Sequence, residues 1–209
     1  MKKNQKSMKE VELLFKIDEL KAQDIREKLK GSFIKKIREI DIYFFPPHKD
    51  FFVNDKGREN LRVRENEDKK ELTYKKVIYN NGEYSYSTEK NVNVSDTKTT
   101  IEILKTVGFR EHLIIDKERE IFENKNFHIT IDNVKNLGFF VEIEWVGTGD
   151  NEEEGNNIFF KGVSQGGVYK IIKGLCLEKS KELGLEKLQD KGYLRLLEEK
   201  KNQGLDKVF

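Results

Sequence analysis

Two short runs carry paired carboxylates, Glu10-Val11-Glu12 near the start and Glu142-Ile143-Glu144 far downstream. In a β-strand, residues i and i+2 share a face. Each run therefore aims two carboxylates one way and its apolar side chains the other. Basic residues repeat the spacing in Leu61-Arg62-Val63-Arg64 and in Asp116-Lys117-Glu118-Arg119. A chain that sets acids and bases on one phase of several strands builds a charged interior. Such an interior suits a polyphosphate and its metal ions. For any single pair, the wet face of a half-buried sheet is the simpler account. Recurrence on separate strands, with the acid pairs set inside apolar runs, favours the interior.

Strands must hold these pairs, and the sequence offers them. Val11–Ile17 reads as a first strand, and Asp18 caps a helix running to about Lys30, with Leu20, Ile25 and Leu29 on one face and Gly31 closing it. Strand-like runs follow at Ile37–Phe45, Leu61–Glu65, Glu71–Ile78 and Glu83–Val92; Asn80-Asn81-Gly82 marks a hairpin between the last two. Phe45–Gly57 holds both prolines and reads as a loop. Asp96 caps a second helix through Ile101, Leu104 and Val107. Three more strands are expected at Leu113–Phe122, Phe127–Asp132 and Phe139–Val146. Gly147–Gly167 is acidic and rich in Gly and Asn, which predicts a flexible insertion. From Val168 to about Lys201 the pattern is helical, with breaks near Gly184 and Gly192. Val11/Leu13, Leu61/Val63, Ile129/Ile131 and Val141/Ile143/Trp145 form the apolar phase. The fold class is α+β: an antiparallel sheet of many strands, with helices covering its apolar face outside and the charged face lining a tunnel or cleft.

Composition limits the alternatives. At 209 residues one domain is expected over residues 9–209, after a disordered lead-in at 1–8. Hydrophobic residues make up 36% and charged residues 37%, so the core is modest and much charge sits on the surface or in a polar cavity. The net charge is +2, from 40 basic and 38 acidic residues, and the basic residues are dispersed, which argues against a nucleic-acid partner. A single cysteine, Cys176, excludes an internal disulfide and a cysteine-based zinc site, and fits a cytoplasmic compartment. No apolar run follows the polar start, so neither a signal peptide nor a membrane span is expected.

The ordered set EVELLFKI (10–17), DIYFFPPHKDF (41–51), LRVRE (61–65), LTYKK (72–76), DKEREIF (116–122), FHITIDNVKNLGFFVEIEW (127–145) and GYLRLL (192–197) resembles the CYTH superfamily of triphosphate tunnel metalloenzymes. That group includes class IV adenylyl cyclases, thiamine triphosphatases and inorganic triphosphatases. The resemblance implies a closed antiparallel β-barrel tunnel with helices outside. It also implies roles. Glu10, Glu12, Asp132, Glu142 and Glu144 look like the carboxylates for Mg²⁺ or Mn²⁺, hard cations that prefer oxygen ligands. Arg62, Arg64, Lys75, Lys117 and Arg119 look like the triphosphate clamp, with Lys75 and Arg119 nearest the chemistry. Guanidinium groups grip phosphate through parallel hydrogen bonds, while Lys acts as a point charge. His128 and Tyr43 read as structural.

Three positions depart from the family pattern. Leu14 stands where relatives carry a lysine, with Lys16 the next basic residue in the same phase and so a substitute phosphate ligand. Ser87 and Asn91 stand for an arginine and a glutamate, leaving Glu89, with Lys90 a further partial substitute. The closest subgroup resembled is the class IV adenylyl cyclases, which convert ATP to cyclic AMP and pyrophosphate. A triphosphatase acting on inorganic, thiamine or nucleoside triphosphate is the first alternative, and a non-catalytic triphosphate-binding module the second. A homodimer is one open assembly.

Overall fold

Alternating charged and apolar residues make this chain a sheet protein, and the charged phase sets the way the sheet curls. The computed structural model describes residues 8–49, 51, 59–80, 82–146 and 163–204. In chain order the strands are β1 (Met8–Glu10), β2 (Glu12–Lys16), β3 (Phe33–Phe45), β4 (Glu59–Glu65), β5 (Lys70–Asn80), β6 (Glu83–Asn93), β7 (Arg110–Asn124), β8 (Phe127–Val134), β9 (Gly138–Trp145) and β10 (Leu188–Gln189). The helices are α1 (Glu19–Leu29), α2 (Thr97–Thr106), α3 (Gln165–Leu183) and α4 (Tyr193–Asn202). All pairings are antiparallel, in the order β1-β6-β5-β4-β3-β7-β8-β9-β2-β10. Val11 alone separates β1 from β2, yet β1 pairs with β6 and β2 with β9. The N-terminal segment thus joins the two ends of the sheet and curls it into a barrel around the charged phase.

The apolar phase faces outward under helices. Val11, Leu13, Phe15, Ile129, Ile131, Val141 and Ile143 form one core with Ala22, Ile25 and Leu29 of α1 and Tyr169, Ile172 and Cys176 of α3. A second outer cluster sets Leu104 and Ile101 of α2 on Phe44, Val63, Leu61 and Leu72. Helix α4 differs. Its Tyr193, Leu194 and Leu197 pack on Tyr43, Ile115, Val134 and Phe140, which share strand phase with Asp41, Lys117, Asp132 and Glu142. Helix α4 therefore plugs the inner face at one end of the barrel.

The caps expected at Asp18 and Asp96 form, each side chain accepting from the backbone N–H three residues on, at 2.7 and 2.6 Å. Other expectations need correction. The strand expected over Val11–Ile17 forms as β2 over Glu12–Lys16, but a separate β1 over Met8–Glu10, reaching into the expected lead-in, precedes it. Leu20 is 77% exposed, and Ala22 takes its place on the buried face of α1, because 22, 25 and 29 follow the helical period and 20 does not. Helix α3 starts at Gln165, capped by Ser164, inside the segment read as an insertion. The rest of that insertion, the lead-in before Met8 and most of the Pro-Pro loop lie outside the described residues. Strands β3 and β7 run longer than read, because the lysines and glutamates on their inner faces mask the apolar signal.

Candidate functional site

The curled sheet encloses a cavity of about 890 Å³ whose lining is mostly charged. Cross-strand register explains who meets whom. Arg64 lies opposite Asp41, Arg62 opposite Tyr43, Lys117 opposite Glu39 and Arg119 opposite Asp132. Across the barrel, Lys75 lies opposite Glu89 and Glu12 opposite Glu144. One wall thus carries four cations from β4 and β7. The other carries Glu10, Glu12, Glu89, Glu142 and Glu144 from β1, β2, β6 and β9, with Lys75 from β5 among them.

On the basic wall, Arg64 grips Asp41 through two hydrogen bonds at 2.6 and 2.7 Å and reaches Glu39 at 3.0 Å. Lys117 lies 3.0 Å from Glu39 and 3.5 Å from Asp132. Burial pushes the Glu39 carboxyl up, but Lys117, Arg64, Arg119 and Arg62 more than offset this and hold it well below the carboxylate range. Asp41 behaves alike: burial opposes ionisation, and Arg64 and Arg62 win. Arg62 is bound least. Its nearest carboxylate oxygen, on Asp41, is 3.8 Å away, and its buried Nε has no hydrogen-bond partner. Arg62 lines the cavity and also donates to the Tyr43 hydroxyl, so a guanidinium not committed to a carboxylate borders a space that suits an anion.

Arg119 spans both walls. Its Nε and Nη2 donate to Asp132 at 2.7 and 2.5 Å, and Nη2 also donates to Glu142. Lys75 does the same from the other side, donating to Glu12 and lying 3.0 Å from Glu89 and 3.6 Å from Glu10. The acid wall remains under-neutralised. Burial first, then the neighbouring Glu89, Glu12 and Glu144, raise Glu10 to about 8 despite Lys75. Burial also opposes ionisation of Glu12 and Glu89, yet Lys75 holds both low, Glu89 at about 2.

The residues singled out from the sequence divide accordingly. Glu10, Glu12, Glu142, Glu144, Arg62, Arg64, Lys75, Lys117 and Arg119 all line the cavity. Asp132 is set apart: it is 0% exposed, and its oxygens are taken by Arg119, by the Tyr193 hydroxyl at 2.8 Å and by Lys117. Among the described residues no three His, Cys, Asp or Glu side chains are drawn together as a ligand set. Of the carboxylates expected to form one, Glu10 and Glu12 are turned toward Lys75, and Asp132 and Glu142 toward Arg119. Lys16 does not reach the cavity. It is exposed, stands 5.8 Å over the Phe140 ring and borders a separate hollow beside Leu196, Glu199 and Lys200 of α4. Four residues along a strand span roughly 13 Å, which carries Lys16 past the α4 plug. Lys90 is exposed too, on the opposite phase to Glu89. Leu14 faces inward opposite Glu142 and packs on the apolar cluster under α4. Ser87 is buried opposite Glu10, and the Asn91 amide donates to Glu89 at 3.4 Å.

Several participants escaped the sequence reading. Glu39 and Asp41 sit two apart on β3 and carry the same spacing signal as Glu10 and Glu12. Tyr193 approaches from a helix, with no periodic signal to place it inside the barrel. His128, read as structural, faces the cavity 3.5 Å from Glu144.

Comparison with known proteins agrees with this architecture. The CYTH domain model matches residues 8–190. The chain belongs to the CYTH family. Among individual CYTH-related proteins, a candidate adenylate cyclase of Methanocaldococcus jannaschii is 36% identical over 139 residues, 66% of this chain and 77% of that protein. A solved Pyrococcus horikoshii structure superposes with a TM-score of 0.69 at 27% identity, covering 91% of this chain and 99% of that one. A candidate adenylyl cyclase from Hippeastrum, described as having a dominant triphosphatase activity, shares the fold at a TM-score of 0.57 and 14% identity, over 91% and 95% of the two chains.

Proposed function

We propose that this CYTH protein binds a triphosphate together with divalent metal ions and processes it, in the manner of the class IV adenylyl cyclases that form cyclic AMP and pyrophosphate from ATP. The observation that carries the reading is the two-walled cavity. An acid wall too crowded to ionise fully, as Glu10 shows, faces a basic wall with an incompletely paired arginine. The donor chemistry fits Mg²⁺ or Mn²⁺, since a divalent cation would relieve the repulsion among these carboxylates. Glu10, Glu12, Glu142 and Glu144 would hold it. When bound it supplies Lewis-acid stabilisation of charge building on phosphate oxygens.

The chain's own residues do the rest. Arg62, which lines the cavity and has no close carboxylate partner, offers its guanidinium to a phosphate oxygen. Arg64 and Lys117, fixed by Asp41 and Glu39, keep that wall positive at fixed geometry. Lys75 and Arg119 are held by Glu12 and Glu142, two of the carboxylates assigned to metal. With the site occupied, Glu12 and Glu142 would hold the metal, and Lys75 and Arg119, released from them, would be free to take phosphate oxygens. Asp132, with Tyr193, keeps the other edge of Arg119 fixed during that exchange. For cyclisation, the ribose 3′-oxygen attacks the α-phosphorus, its proton leaves to a base, and pyrophosphate departs. For hydrolysis, water attacks the terminal phosphorus instead, its proton leaves to a base, and the diphosphate (ADP from ATP, pyrophosphate from inorganic triphosphate) departs, leaving orthophosphate.

The M. jannaschii relative's name favours cyclisation, and the Hippeastrum protein's description favours hydrolysis as the second reading. Incubation with ATP and, separately, inorganic triphosphate, each with Mg²⁺ or Mn²⁺, followed by ion-exchange chromatography, decides. Cyclic AMP with pyrophosphate establishes the cyclase, and orthophosphate the triphosphatase. Metal-dependent binding without product would reduce the protein to a binding module.

A further inference from the structure

Glu10 and Glu12 share the acid wall, yet they belong to different strand pairings, and something must fix their relation across the break. At Val11 the sheet ladder is interrupted, because β1 leaves for β6 while β2 stays with β9. The groups stranded at the break are the Glu10 carbonyl and the Glu12 N–H. One side chain serves both. The Tyr84 hydroxyl donates to the Glu10 carbonyl and accepts from the Glu12 N–H, each at 3.3 Å.

Tyr84 gets there by a local distortion. Along β5 and β6, Ile78 pairs with Tyr86, but the next residue, Tyr79, pairs with Tyr84, so Ser85 is an extra residue. Regular alternation would put Tyr84 on the outer face with Tyr86, whose ring stacks on Tyr169 of α3 at 4.2 Å. The bulge turns Tyr84 inward, to the cavity lining. Bulges commonly re-aim a side chain in this way.

We propose that Tyr84 is a positioning residue: by bridging the Glu10 carbonyl and the Glu12 N–H across the strand break, it sets the relation of the two carboxylates and hence the divalent-cation affinity of the wall. The proposal rests on the reading above that Glu10 and Glu12 receive the cation. Burial, and then the Glu12 charge, push the phenol well above its ordinary value, so it keeps its proton at neutral pH and remains both donor and acceptor. Removing such an outer partner of metal ligands typically costs 10–100-fold in metal affinity.

The test uses the full chain without any phosphate ligand, with Mn²⁺ binding followed by the loss of the free-ion paramagnetic signal. Tyr84→Phe is expected to raise the Mn²⁺ concentration for half-saturation about 10-fold or more. Tyr86→Phe, on the outer face of the same strand, should leave it unchanged. Half-saturation in Tyr84→Phe equal to wild type overturns the proposal, whatever happens to the thermal midpoint, since Tyr84 would then only close the barrel. Should the Phe variant not fold, hydrogen exchange of the wild-type Glu12 amide decides. Slow exchange supports the bridge, and exchange at the rate of an unprotected amide overturns it. Wild-type protein that takes up no Mn²⁺ removes the metal-site reading first, a failure visible before any variant is made.

Discussion

The exchange of partners at Arg119 gives the sharpest test of the functional reading. In the resting cavity, Arg119 is held between Asp132 and Glu142, so its free edge is occupied by a carboxylate assigned to metal. Glu142→Gln removes that charge while keeping the shape. Two effects then favour a phosphate at Arg119 when no metal is present. The guanidinium edge is released, and a negative charge beside the incoming anion is gone. A charge-assisted hydrogen bond is worth about 1.5–3 kcal/mol, which corresponds to a gain of roughly 10–100-fold in affinity. The assay is calorimetric titration of inorganic triphosphate into protein with excess chelator. Wild type should bind weakly and the variant more tightly by that factor. With Mn²⁺ restored the order should reverse, because the variant has lost a proposed metal ligand, and turnover should fall. Equal metal-free affinity in the two proteins would refute the shared use of Glu142, and loss of affinity in the variant would place Glu142 outside the phosphate path.

Other expectations follow from the same network. Arg62→Ala should weaken triphosphate binding roughly 10–100-fold with little change in thermal midpoint, because its closest carboxylate stands 3.8 Å away; a large midpoint loss with unchanged binding would make Arg62 structural. Asp132→Asn should do the reverse and lower stability in urea by about 3–5 kcal/mol, the usual result of breaking a buried ion pair. The Glu10 shift gives a pH dependence. Its folded value of about 8 exceeds the ordinary 4.5, so the folded protein holds a proton there that the unfolded chain releases. The stability from this group is therefore complete below about pH 4.5 and is lost as pH rises through 8. Thermal melts of metal-free protein between pH 6 and 9 should fall for wild type and flatten in Glu10→Gln; parallel curves would contradict the assignment.

The strand phases were readable because each inner pair is flanked by residues that cannot face water: Val11 and Leu13 beside Glu12, Ile143 beside Glu142 and Glu144. The same rule was available for Glu39-Ile40-Asp41, whose carboxylates support the cations they face. Phase alone misled where geometry intervened. Lys16 has the parity of Glu12, but α4 ends the cavity before that position. Tyr84 has the parity of Tyr86, and a single extra residue at Ser85 reverses it. Tyr193 enters from a helix packed inside the barrel, whereas an amphipathic helix is expected to cover a sheet from outside. Each case depends on contacts distant in sequence, which local periodicity does not carry.

The break at Val11 also governs how the protein is made. Residues 8–16 leave the ribosome before the strands they pair with: β1 waits for β6, and β2 waits for β9, the latter more than a hundred positions later. Pairings so remote are slow to form, since loop closure must precede them. Until β9 arrives, Glu12 has no Glu144 opposite it and the acid wall lacks Glu142 and Glu144. Completion of the acid wall and pairing of β2 with β9 are thus one event, and a chain halted before β9 lacks both that pairing and two carboxylates of the cavity.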